Sequence, residues 1–311
     1  MSDLFKFKFQ KSSTTPSEQT AGAKPVTIET SMKLETFVKM RELIYKFCGI
    51  YYTDSKKYLL EGRISKRLPI LKITTFEEYY NFISSSVSNR EELNQLFIAV
   101  TINETYFFRA EQQFDGLEKI LIPEIIKRKK VTGDKVFKIW SAASSSGEEA
   151  YTLAIIIKDR IQPLFPGIEF QIIATDINTN VIDAAKKGIY KDYAVRNIKP
   201  NLLKKYFKQD GTSYVLDDSI RNMVKFQQLN LYDTFAMRNM KNIDVIFCCN
   251  VLIYFDTVSK QKVVQSLYDS LGQGGYLFIG YSESLHGITK SFKLIHLDKA
   301  MVYKKLLPNE N

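Results

Sequence analysis

Apolar positions follow a helical period up to about residue 109, and strands alternate with helices after residue 136. Phe37, Met40, Leu43, Ile44 and Phe47 recur at three- and four-residue spacing, and Cys48 and Gly49 close the helix they predict. Asp54 is expected to cap a second helix that stops before Pro69. Leu60, Ile64 and Leu68 form its core stripe, while Arg63, Lys66 and Arg67 make a basic side. Thr75 and Asn89 read as caps of a third and a fourth helix. Residues 31–110 therefore predict a small all-α domain, and 111–135 a connector built on an amphipathic helix over 115–130. Residues 1–30, rich in Ser, Thr and Pro in their second half, predict a disordered leader. The alternating Phe5, Phe7 and Phe9 within it are open to reading as a short strand or a sticky tail.

From 136 to 306 the rhythm is βαβα, with strands expected at 136–140, 170–175, 223–228, 245–249 and 276–282. Residues 245–249 are almost continuously apolar, as a strand buried on both faces should be. A helix is expected from Thr257, with Gly272, Gly274 and Gly275 as its exit, and a β-pair at 291–297 and 300–305 ends the chain. The fold class is α/β, a doubly wound sheet with an antiparallel C-terminal hairpin, preceded by the all-α domain.

Composition narrows the setting. The 311 residues, 45% hydrophobic and 25% charged, suffice for one large domain or for two domains with their own cores, and the second is the preferred reading. No apolar run approaches the roughly 18 residues of a membrane span, and the N-terminus lacks a secretory signal's apolar core. Three cysteines and two histidines argue for a reducing cytoplasm, with no disulfide framework and no metal site. A net charge of +10 calls for an acidic partner, whether nucleic acid, an anionic membrane or an acidic protein, without choosing among them.

Candidate chemistry gathers at strand ends. The strand at Val136 runs into a loop of small residues, 141–147, and then a helix, the first half of a unit that binds nucleotide-like ligands. Only one glycine, Gly147, stands in that loop, so a dinucleotide fingerprint is weak. Ser146 and Glu149 fit a capping box, with Glu148 beside them. Two carboxylates there would repel a pyrophosphate and favour an ammonium or sulfonium, as in S-adenosylmethionine; the alternative is that both merely cap the helix. Asp176 ends the second strand, where an acidic residue takes ribose hydroxyls, although an N-cap role is also open. Asn250 and Tyr254 follow the buried strand at the same edge. Residues 101–109, with Asn103, Thr105 and Arg109, are either a packed hinge or a clamp for a ligand carboxylate.

Five ordered segments resemble the chemotaxis receptor methyltransferases of the CheR type. They are Asn103-x-Thr105-x-Phe107-Phe108-Arg109, the Trp140–Glu149 stretch, Asp176-Ile177, Asn250–Asp256 and Gly280-Tyr281-Ser282-Glu283-Ser284. The resemblance covers about residues 32–305, in the family's order. The resemblance implies an S-adenosylmethionine-dependent protein-glutamate O-methyltransferase acting on chemotaxis receptors. By resemblance Asn103, Thr105 and Arg109 hold the methionine end of the cofactor, and Glu149 faces its ammonium. Asp176 takes the ribose, Asn230 and Leu231 border the adenine, and Asn250 and Val251 lie beneath the sulfonium. Tyr254 and Arg109 stand near the reacting centre. Ala150 replaces a proline that often follows the paired glutamates.

The family also carries a small β-insertion, expected here at about 206–225, which in some members grips a peptide from the receptor's C-terminus. This copy is short and lacks extra glycines, which argues against tethering. Methylation sites on such receptors lie on acidic coiled-coil faces, which Arg63, Lys66 and Arg67 would steer onto. A carboxylate with a pKa of about 4 is already ionised at neutral pH, so the absence of a general-base dyad is expected. The alternatives are a nucleic-acid methyltransferase and a non-catalytic S-adenosylmethionine-binding adaptor or sensor. An RNA-binding module would mark the first, and none is recognised here.

Overall fold

A computed structural model describes residues 28–85, 90–308 and 310. The leader read over 1–30 lies outside the described residues except at 28–30, and so does Asn89. Within those three, Glu29 is anchored: its N–H donates to the Thr74 carbonyl, and its carboxylate accepts from the Phe76 N–H.

Four helices form the N-terminal layer: α1 (Leu34–Cys48), α2 (Lys57–Ile64), α3 (Phe76–Ser84) and α4 (Arg90–Val100). On α1 the buried stripe is Phe37, Met40, Ile44 and Cys48, while Phe47 is exposed. Gly49, at φ +72°, ends that helix in the left-handed region, where glycine carries no Cβ penalty. Asp54 does not cap α2. It begins a 3₁₀ turn, Asp54–Lys56, and pairs with Arg41. Thr75 does cap α3, in a capping box with Glu78. Leu60, Ile64 and Leu68 are buried together with Phe37, Phe76 and Tyr79.

The connecting helix runs as α5 (Glu111–Gly116), a π turn (Leu117–Leu121) and α6 (Ile122–Thr132). The strands follow: β1 (Val136–Ala142), β2 (Glu169–Asp176), β3 (Ile189–Lys191), β4 (Phe207–Asp210), β5 (Ser213–Leu216), β6 (Val224–Gln228), β7 (Ile243–Cys248), β8 (Leu271–Ile279), β9 (Lys293–His296) and β10 (Met301–Lys304). Seven make one sheet in the order β6-β2-β1-β7-β8-β10-β9. β6 to β8 are parallel, and β10 and β9 add the antiparallel edge. Apolar layers cover both faces, one holding Phe137, Ile139 and Phe247, the other Trp140, Ile246 and Leu277. Sequence order reverses at β1, with β2 on one side and β7 on the other, which opens a crevice beyond their C-terminal ends.

Two boundaries differ from expectation. The insertion is a three-stranded sheet, β3-β5-β4, within residues 189–216, and 224–225 belong to β6 of the main sheet. Its first strand, β3, only three residues long, gave no periodic signal. Gly272, Gly274 and Gly275 lie inside β8, which starts directly after helix Thr257–Ser270. The strand tolerates them through a bulge opposite Ile243 and Val245 and the Arg128 guanidinium on the Gly274 carbonyl.

The helical layer closes over the crevice. Ile50 bridges Phe255 in antiparallel fashion, and the Tyr51 N–H donates to the Tyr254 carbonyl at 3.0 Å. Tyr45 Oη donates to the Asp256 carboxylate at 3.2 Å, and Asn94 bonds both Thr179 and Gln228.

Candidate active site

Between the helical layer and the strand ends lies one deep cleft. Its floor is the loop after β1. Ala143, Ser145 and Gly147 all have positive φ there, which coils the chain tightly before helix α7 (Glu148–Ile156). The Ser144 N–H donates to the Thr175 carbonyl, while Ser144 Oγ, on the cleft, is buried without a hydrogen-bond partner among the described residues.

The capping box expected at Ser146 and Glu149 does not form. Gly147, at φ +92°, is the N-cap, and no side chain caps the helix. A Cβ on Gly147 would lie 2.9 Å from both Ala185 and Phe226, so the turn leaves no room for a capping serine. The two glutamates part company. Glu148 is buried away from the cleft and accepts from Ser146 Oγ. Glu149 lines the cleft and accepts from Ser141 Oγ at 2.7 Å. Burial pushes the Glu149 carboxyl up to about 7, against the Ser141 and Cys249 side chains and the nearby Arg109 charge, which pull it down.

Asp176 closes β2. Its carboxylate accepts from the N–H groups of Ser145 and Asn178, each at 2.9 Å, and burial raises its pKa against those bonds. Asn178, not Asp176, caps helix α8 (Thr179–Lys187), accepting from Asn180 and Val181. This division leaves Asp176 facing the cleft.

On the opposite wall, Asn103 and Thr105 come from the segment joining the two layers, and the Asn103 carbonyl accepts from Ser145 Oγ at 3.1 Å. Arg109 donates to the Glu104 carbonyl at 2.8 Å and lies 5.5 Å from the Tyr106 ring centroid. Asn230 donates to the Phe47 carbonyl at 2.7 Å, so its side chain ties the wall to α1, with Leu231 beside it. Asn250 (φ +62°), Val251 and Tyr254 complete the cleft after β7. The Tyr254 phenol has its pKa raised by burial, with the Arg109 and Arg63 charges opposing the shift.

The basic side of α2 divides. Arg63 lines the cleft and donates to the Val100 and Thr101 carbonyls. Lys66 is exposed outside it. Arg67 turns inward to a bidentate pair with the buried Glu92, at 3.0 and 2.6 Å, so it offers no free charge to an incoming surface. Residues that sequence reasoning passed over also line the cleft: Lys56 at its mouth, Tyr51 and Tyr52, Leu229 and Cys249. None carried a local signal, since each is brought there by the packing of the two layers.

The donor set fits S-adenosylmethionine. Glu149 and Arg109 offer opposite charges to a zwitterionic amino-acid end, and Asp176 offers acceptors for a diol. Ile177, Leu229 and Leu231 supply apolar surface for a base, and Ser144 Oγ is left to be satisfied. Fold and cleft together define an S-adenosylmethionine-dependent methyltransferase. Residues 103–301 match the family described as CheR methyltransferase, SAM binding domain, and residues 35–101 match its all-alpha domain. The chain is 35% identical over 271 residues to chemotaxis protein methyltransferase 2 of Vibrio cholerae, covering 86% of this chain and 92% of that protein. It is 33% identical over 274 residues to chemotaxis protein methyltransferase 1 of Pseudomonas aeruginosa, covering 86% and 97%. A third relative, from Borreliella burgdorferi, is 33% identical over 250 residues, covering 80% and 88%. The chain belongs to the CheR methyltransferase family: it is an enzyme of chemotaxis, and its cofactor is S-adenosylmethionine.

Proposed function

We propose that this enzyme is a protein-glutamate O-methyltransferase that esterifies glutamate side chains on the cytoplasmic part of chemotaxis receptors. The observation that carries this reading is the cleft itself, in which a half-buried glutamate, a guanidinium and a strand-end aspartate converge with no histidine among the described residues that line it. An ionised glutamate acceptor needs no base, whereas an amine or hydroxyl acceptor must lose a proton. The names of the relatives point the same way.

The cofactor supplies a methyl carbon activated by its sulfonium. Glu149 and Arg109 bind the two charged ends of its amino-acid portion, with Asn103 and Thr105 beside them. Asp176 orients the ribose, and Asn230 and Leu231 border the base. Asn250 and Val251 support the reacting end. Arg109, Arg63 and the Tyr254 phenol present a cationic, hydrogen-bonding face to the incoming carboxylate and help exclude water. Their positive field steers an acidic helical surface onto the mouth, assisted by the exposed Lys56 and Lys66.

Reversing Lys56 and Lys66 to glutamate tests the docking side. Neither residue takes part in a salt bridge among the described residues, so the fold should tolerate the change. Methylation of receptor-bearing membranes at low salt should slow about tenfold, with S-adenosylmethionine affinity within about twofold of the parent. An unchanged rate would remove this surface from receptor binding.

A further inference from the structure

Behind the cleft wall, one carboxylate is held by peptide groups of two different loops. Glu283, half-buried, follows β8 on the turn that begins at Gly280. Its Oε2 accepts from the Gly280 N–H at 2.6 Å and from the Asn250 N–H at 2.9 Å. Its Oε1 accepts from the Ile253 N–H at 3.2 Å. Asn250 sits at φ +62°, in the left-handed region that asparagine adopts more readily than other residues with a side chain. Gly280 is part of the same arrangement. A Cβ there would lie 2.7 Å from Asn250 Nδ2, 2.8 Å from Glu283 Oε2 and 2.9 Å from the Asn250 nitrogen.

Glu283 itself does not reach the cleft, but the residues it holds do: Asn250 by its own N–H, Val251 next to it, and Tyr254 one residue past Ile253. We propose that Glu283 is a positioning residue, whose carboxylate clamps the loop after β7 to the turn after β8 and so fixes Asn250, Val251 and Tyr254 on the cleft. A carboxylate suits this task because it accepts at both oxygens and donates at neither, so three N–H groups on two loops converge on one side chain. For its effect on rate the inference rests on the methyl-transfer reading above; the clamp itself does not.

Two variants isolate the clamp. Glu283→Gln keeps the shape but turns one oxygen into an NH₂ group, which in either orientation faces at least one N–H with another donor. Facing Ile253 is the less costly orientation, so the disturbance should fall mainly on Tyr254. Gly280→Ala leaves the charge in place and wedges a methyl group between carboxylate and loop. Amide hydrogen exchange is measured by mass spectrometry on the cofactor-free protein, together with cofactor titration and methyl transfer. Both variants should exchange at least about tenfold faster in peptides covering 249–255, with β1 and β2 unchanged. Turnover should fall about tenfold or more, and by a larger factor than cofactor affinity. Unchanged exchange at 249–255 in both variants would overturn the clamp, as would faster exchange spread over the whole sheet. Loss of turnover in strict proportion to loss of affinity would overturn the positioning of Tyr254. Should the parent enzyme bind cofactor but methylate no receptor, the receptor reading falls and the exchange data alone decide the clamp.

Discussion

Glu149 shows how a residue can be legible for one reason and placed for another. The sequence marks it by its position at a helix start, and a capping role is then the natural rival. The strained turn at Gly147 removes that role and leaves the carboxylate to Ser141 and the cleft. Its raised pKa of about 7 makes a prediction. An ammonium ligand requires the ionised form, so cofactor affinity should fall as pH drops below about 7, approaching tenfold per unit at the acid end. Calorimetry near pH 6.5 in buffers of different ionisation enthalpy should register protons released on binding; a buffer-independent enthalpy would contradict the assignment. For the free protein the sign is that of a raised carboxyl. Its contribution favours the folded state in full below the unfolded value of about 4.3 and is lost as pH rises through about 7. Arg109→Ala removes the opposite charge and should weaken cofactor binding by at least about tenfold in the same titration. Affinity within about twofold of the parent would remove Arg109 from the cofactor's carboxylate. Asp176 was ambiguous in sequence because Asn178 and Thr179 stand within reach of the same helix start. Backbone geometry resolved the capping in favour of Asn178.

At the scale of elements, periodicity located the helices and strands well where apolar spacing was strong, as on α1 and β7, whereas α2 ends at Ile64, short of the expected stop before Pro69. It was blind to features that depend on partners. The basic spacing of Arg63, Lys66 and Arg67 was real, but a helix face in a bundle has neighbours, and Glu92 on α4 takes Arg67. Glu92 also accepts from the buried Tyr79 hydroxyl at 2.8 Å, so the pair sits inside the helical core. Arg67→Ala would leave that carboxylate without its cation. It should lower stability by about 3 kcal/mol in urea unfolding with little effect on docking. A loss below about 0.5 kcal/mol would mean that the pair is merely a surface contact. The two π turns among the described residues, Leu117–Leu121 and Ile157–Ile161, left no trace in the apolar pattern, because their buried residues, Leu117 with Leu121 and Ile157 with Ile161, keep the four-residue spacing of an α-helix.

For the whole molecule, the passage from helices to a sheet was readable from the change of period at about residue 136. Their relative placement was not. It rests on polar contacts and one backbone bridge from Phe47, Tyr45, Ile50, Tyr51 and Asn94 to the far layer, and on packing of Tyr45 and Gly49 against the Tyr232 ring. Gly49 lies at the centre of that junction, where a Cβ would stand 2.6 Å from the Tyr232 ring. The same packing makes a cleft wall out of Tyr51, Tyr52 and Lys56, which explains why sequence motifs named only part of the lining.

The chemistry of the acceptor is the central claim, and the bond formed tests it most directly. The enzyme is incubated with methyl-labelled S-adenosylmethionine and receptor-containing membranes, and the labelled protein is then treated with mild alkali. The account predicts label on receptor bands that leaves as volatile methanol, the behaviour of a glutamyl methyl ester. Protein label that survives alkali, or label found on nucleic acid, would contradict it.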